Sequence, residues 1–240
     1  MKKLFSFILI LIFVLVFFLG YIGFIPVISG ILGTNKPKDL GIKYSDSDKT
    51  TAVEKLQVKF SQLSPNAKEK GLVLKGFHPV DKTFSSQELT ALADTRQKQF
   101  GLFPFKNAQI KINKDGTAEG SAVLEFNTAV DFLQDLGVSL KQINQAVDKF
   151  KILKGEIPVY LKVSGDVSNN VSNIAVKSVE ISKIRVPQPL VNLYGPNLNN
   201  LVEDVIAKRK PHYGIKSLKI EDGKVHFNGT SPDEEFARGK

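Results

Sequence analysis

Three histidines, His78, His212 and His226, are the side chains best suited by type to acid–base work or metal binding near neutral pH. Their spacing supports neither. There is no His-Glu-x-x-His and no His-x₃-His, the spacings that set two imidazoles on one helical face. His78 and His212 each adjoin a proline in an expected turn, and His226 points opposite to Val225 and Phe227 on an expected strand. They read as surface or turn residues, and no metal site is expected. A Gly-x-Ser-x-Gly elbow is absent, Gly120 and Gly165 stand alone, and nothing resembles a phosphate-binding loop. Asp131, Asp135 and Asp148 lie on helices already committed by an apolar stripe, where acids read as the solvated face. No enzyme is expected, and neither a catalytic residue nor a cofactor is assigned. A wall-associated hydrolase would need one of the histidines to converge with a carboxylate in a single pocket.

The loudest signal concerns location. After Lys2 and Lys3, the thirty positions Leu4–Gly33 carry no charged side chain. About twenty apolar residues suffice to cross a bilayer, so a transmembrane helix is expected, most compactly over Leu4–Ile25 and ending before Pro26. The length favours an uncleaved signal anchor over a cleaved signal peptide, whose apolar core runs to about 15 residues at most. Lys2 and Lys3 place the N-terminus in the cytoplasm and residues 34–240 outside it, giving a single-pass protein of the cell membrane.

Composition agrees with an exported domain. Cysteine is absent, which excludes disulfides and thiolate metal sites and is ordinary for an exported bacterial chain. The formal charge is +9, of which Lys2 and Lys3 carry two, leaving +7 for the exterior part. A basic exterior surface favours anionic headgroups or wall polymers, although the charges are spread along the chain. No basic–aromatic pattern points to nucleic acid.

The elements that must position any site follow from periodicity. Thr34–Tyr44 reads as a linker, residues 45–230 as one α+β domain, and the charged tail Ser231–Lys240 as frayed. Ser45-Asp46-Ser47-Asp48 opens a short helix over Asp48–Val58, and Ser85-Ser86-Gln87-Glu88 caps another over Ser86–Gln97. Gly71–Phe77 reads as a strand and His78–Asp81 as a turn. Alternation around Lys114-Asp115-Gly116 and around Glu221-Asp222-Gly223 predicts two hairpins. Helices are expected over Thr128–Leu136 and Ser139–Phe150, broken at Gly137. Ile157–Ser164 alternates as a strand, followed by a turn over Asp166–Asn173. The strand Ile174–Val186 shifts its apolar parity twice, which predicts one or two β-bulges. A long helix over Leu190–Arg209, interrupted or restarted at Gly195-Pro196, ends in Lys208-Arg209-Lys210, a run suited to the helix dipole. The expected fold is a twisted antiparallel sheet with long amphipathic helices packed on it, following a transmembrane helix.

Aliphatic excess on the long elements suggests a binding site. The stripe of the last helix (Leu193, Leu198, Leu201, Val205) would face Val179 and Ile181 of the bent strand. Such stripes are almost always core. The functional alternative is a groove left unfilled so that an acyl chain can enter, with those six residues lining it.

The final third carries a resemblance. Val176–Pro187 (VKSVEISKIRVP) leads into the long helix, and the chain ends Gly214–Thr230 (GIKSLKIEDGKVHFNGT). This is similar to the ending of LmeA-like and YpmS-like envelope proteins, and Phe84–Leu92 (FSSQELTAL) resembles the way such domains open. The resemblance spans about residues 84–230 in arrangement and implies an envelope domain, lipid-binding in part of the group, with no catalytic residues to transfer. The expectation is a non-catalytic envelope protein that holds lipid or another amphiphile between helix and sheet. The alternative is a tethered interaction module with a filled core, docking an envelope protein partner through an exposed apolar patch.

Overall fold

The computed structural model describes residues 10, 12–17, 29–30, 33–64, 71–135, 138 and 155–238. Its elements run α1 (Asp46–Leu56), β1 (Lys59–Gln62), β2 (Val73–Lys75), β3 (His78–Phe84) and α2 (Ser86–Gln99). They continue with β4 (Phe105–Ile112), β5 (Thr117–Glu125), α3 (Phe126–Asp135), β6 (Glu156–Ser168), β7 (Val171–Ile181) and β8 (Ile184–Arg185). The chain closes with α4 (Gln188–Tyr194), α5 (Asn197–Arg209), β9 (Gly214–Glu221), β10 (Lys224–Ser231) and β11 (Glu234–Ala237). The expected helix Ser139–Phe150 lies outside the described residues.

The large antiparallel sheet has the order β3-β10-β9-β6-β5-β4, with β7 paired to β6 and β8 paired back to β7. β6 is the hinge of this arrangement. Residues 156–164 pair with β5, while Val167 and Ser168 pair with Leu218 and Ser217 of β9. A smaller sheet, β1-β11-β2, joins the C-terminal strand to two short early ones. The fold is thus α+β with mixed pairing, since β1 and β11 run parallel.

The transmembrane helix expected at the N-terminus is corrected: among the described residues, no helix is long and apolar enough to cross a membrane. Within the leader the structure describes Ile10, Ile12–Phe17 and Ser29–Gly30, all helical, and Gly33 in a turn. The rest of Leu4–Gly33 lies outside the described residues.

Local chemistry explains the well-formed elements. Both early helices begin with complete capping boxes, Ser45 with Asp48 and Ser85 with Glu88. Gly195-Pro196 separates α4 from α5, and a side chain at Gly195 would press on Val176 of β7. The Asp222–Gly223 turn has both residues at positive φ, the geometry that Asp-Gly supports.

Several expectations change. His78–Asp81 is the start of β3 and not a turn; Pro79 is tolerated because β3 is an edge strand. The turn expected over Asp166–Asn173 shrinks to Asn169-Asn170, both at positive φ. Of the two parity shifts in Ile174–Val186, the first is a bulge: Lys162 pairs with Ser178 and Val163 with Val176, leaving Lys177 as the extra residue. The second is a tight reversal at Ser182-Lys183, after which β8 folds back on β7. The linker is docked. Leu40 is buried, its backbone N–H donates to Gln109 Oε1 at 2.8 Å, and Lys38 pairs with Glu180 at 2.7 Å. The tail read as frayed contains β11, and its Glu235 is fully buried. Charged residues hid the strand because their partners come from distant elements.

Candidate binding site: two apolar cavities beside two successive helices

Helix α2 shows why the interior is not closed. Its fully buried residues are small or polar: Thr90 exchanges hydrogen bonds with the Ile110 backbone of β4, and Ala91 and Thr95 are buried too. Its larger apolar residues, Leu89 and Leu92, are only half-buried. With Arg96 they recur at helical spacing and face a cavity of about 460 Å³. The opposite wall comes from α5, through Val205, Ile206 and Arg209. Phe84 of β3, Leu218 of β9 and Phe227 of β10 form the floor, and Phe132 of α3 closes one side. Protein interiors are ordinarily close-packed, so an apolar space of this size is a feature of the fold, and it falls within the volume range of small-molecule sites.

One end of this chamber is charged. Arg96 faces Glu235 with both terminal nitrogens, Nη2 donating to Oε1 at 3.0 Å, and the Tyr213 hydroxyl donates to the same carboxylate. The Arg96 guanidinium also lies over the rings of Phe60 and Phe100, 4.1 and 4.9 Å from their centroids. Burial lowers the Arg96 pKa, opposed by Tyr213. Arg209 is likewise lowered by burial, with Tyr213 and Asp135 acting against the shift. Asp135 is raised, first by burial and then by Asp131, with Arg209 and Arg238 opposing.

A second cavity, about 570 Å³, lies at the other end of the same helical stretch. Val176, Val179 and Ile181 of β7 form one wall, and Leu190, Val191 and Tyr194 of α4 with Leu198 of α5 form the other. It is a surface groove: Leu190, Leu193, Tyr194 and Ile184 around it are exposed.

The six residues expected to line one groove therefore part company. Val179, Ile181 and Leu198 line the surface groove, while Val205 lines the chamber. Leu193 is 64% exposed and Leu201 half-buried, and neither belongs to the lining of either cavity. The break at Gly195-Pro196 and the helical twist turn α4 and α5 towards different spaces.

Sequence reasoning passed over Arg96, Arg209, Tyr213 and Glu235. The available signal was a cation placed on an apolar stripe, as in Leu89-x-x-Leu92-x-x-x-Arg96 and in Ile206-x-x-Arg209. By sequence Arg209 belongs with Lys208 and Lys210 to one dipole-facing run, yet it is buried while both lysines are exposed.

The histidines stay apart. His78 contacts Asp233 Oδ1 at 2.8 Å and the Leu56 carbonyl at 2.9 Å, His212 the Gly76 carbonyl at 2.7 Å, and His226 Asp81 Oδ1 at 2.6 Å. None of them lines either cavity, and the described residues contain no group of three or more potential metal ligands. No family model, curated protein or solved structure matches this chain.

Proposed function

We propose that the chain is a non-catalytic binding domain of the cell envelope that holds an amphiphile, with its acyl chain in the chamber between α2, α5 and the floor of the large sheet. The observation that carries this reading is the set of half-buried apolar side chains on four elements, Leu89, Val205, Phe132 and Phe227 among them, turned towards about 460 Å³ of unfilled space. An apolar cavity holds water poorly, so a hydrocarbon chain entering it gains the contacts its lining lacks. The likeness of the final third to LmeA-like and YpmS-like proteins supports the same reading.

Native mass spectrometry of the full chain purified from a lipid-containing host tests it. A bound amphiphile, released on denaturation, is expected. A ligand-free protein that also fails to enhance the fluorescence of added cis-parinaric acid would overturn it.

A second reading, a docking module for an envelope protein partner, is favoured by the exposed Ile184, Leu190, Leu193 and Tyr194 beside the surface groove. It predicts that parinaric acid finds no saturable site on the wild type and that a polar substitution at Leu193 abolishes partner capture.

A further inference from the structure

We infer that the chamber selects a carboxylate: its ligand is a long-chain fatty acid whose headgroup is held by Arg209. The inference rests on the amphiphile reading and adds the chemical class of the ligand.

Arg209 sits in the last turn of α5 and is 9% exposed. Its Nη2 donates to the Asp135 carbonyl oxygen at 3.3 Å, and among the described residues its Nε has no hydrogen-bond partner. A buried guanidinium with an idle donor is costly, because the desolvation of that N–H is not offset by a new bond. The idle donor belongs to a side chain that lines the cavity.

Charge in the lining points the same way. Arg96 is matched by Glu235, whose carboxylate also accepts from Tyr213. That leaves Arg209 and the exposed Arg238 against Asp135, a surplus of one positive charge. Asp135 offers Arg209 only its backbone carbonyl oxygen, so its carboxylate is not in a hydrogen bond with that guanidinium. A monoanion restores balance, whereas a dianionic phosphate would leave a buried negative charge in excess. A carboxylate also matches the planar guanidinium fork, with the hydrocarbon tail running along Val205 and Leu92.

The test uses the full chain with two photolabels, palmitic acid and hexadecanol, each carrying a diazirine at the same mid-chain carbon. Labelled peptides of α2 and α5 are quantified across a titration. The acid is expected to half-saturate the chamber at a concentration roughly tenfold or more below the alcohol, the scale of one charge-assisted hydrogen bond. Arg209→Gln should erase that preference while alcohol labelling persists, and Arg209→Lys should keep part of it. Equal labelling of the wild-type chamber by acid and alcohol overturns the carboxylate assignment and leaves amphiphile binding standing. Failure of both probes to label the chamber overturns the amphiphile reading itself. Should Arg209→Gln lose alcohol labelling as well, its fold is compromised, and the wild-type comparison alone decides.

Discussion

Removing one member of the Arg96–Glu235 pair leaves the other as an uncompensated charge in an apolar wall. Glu235→Ala should therefore destabilise the protein by about 3–5 kcal/mol, read from the urea midpoint. Because the penalty is that of the orphaned partner, Arg96→Met combined with Glu235→Leu should cost less than Glu235→Ala alone, and a larger loss in the double variant would contradict the pairing. Two tyrosines hydrogen-bonded to carboxylates, Tyr160 buried and Tyr44 half-buried, give a pH signature. Burial, followed by the Asp94 carboxylate that accepts its hydrogen bond, pushes the Tyr44 phenol up to about 12; burial and Glu119, which accepts at 2.7 Å, do the same for Tyr160. Both values exceed the 10.0 of an ordinary phenol, so folding favours the protonated hydroxyls. Their stabilisation is complete below about pH 10 and is lost as pH rises towards 12. Urea midpoints measured across that window should fall more steeply for the wild type than for a Tyr44→Phe/Tyr160→Phe variant; parallel slopes would refute the linkage. At this scale the sequence is least transparent. Arg96 and Arg209 are surface residues by type, and only the coincidence of each with a leucine or isoleucine stripe marks them as interior.

At the scale of elements, the β6–β7 ladder depends on Gly165. Its φ is 123°, and a Cβ built there would lie 2.0 Å from the Asn173 carbonyl oxygen, which is backbone and cannot step aside. An ordinary strand glycine replaced by alanine gains roughly 0.5–1 kcal/mol, whereas Gly165→Ala should destabilise the protein and lower the thermal midpoint by several degrees. A change within the error of the melt would mean that the ladder gives way elsewhere. Elements announced by local chemistry are legible in the sequence. The capping boxes at Ser45 and Ser85, the Asp-Gly reversals at 115–116 and 222–223, and the helix break at Gly195-Pro196 all mark real boundaries. The reversal at Ser182-Lys183 is not legible, since neither residue advertises positive φ, and its effect on apolar parity is the same as that of a bulge. Nor is β11, whose Glu-Glu opening looks solvated until Arg96 and Tyr213 are placed beside it.

For the whole molecule, the decisive property is the space between layers, which no periodicity reports. The stripes of α2 and α5 would read identically over a filled core. What distinguishes this fold is that α2 commits its small residues to β4 and leaves Leu89 and Leu92 facing the chamber. The two cavities flank one pair of helices, so each can be filled separately. Val205→Trp places an indole in the chamber, and Leu198→Trp places one in the surface groove. A titration of the full chain with cis-parinaric acid, compared across wild type and these two variants, tests the claim that the chamber holds the acyl chain. The account predicts at least about a tenfold loss of affinity for Val205→Trp, about 1.4 kcal/mol, with Leu198→Trp close to wild type. Binding undisturbed in Val205→Trp but lost in Leu198→Trp would contradict it.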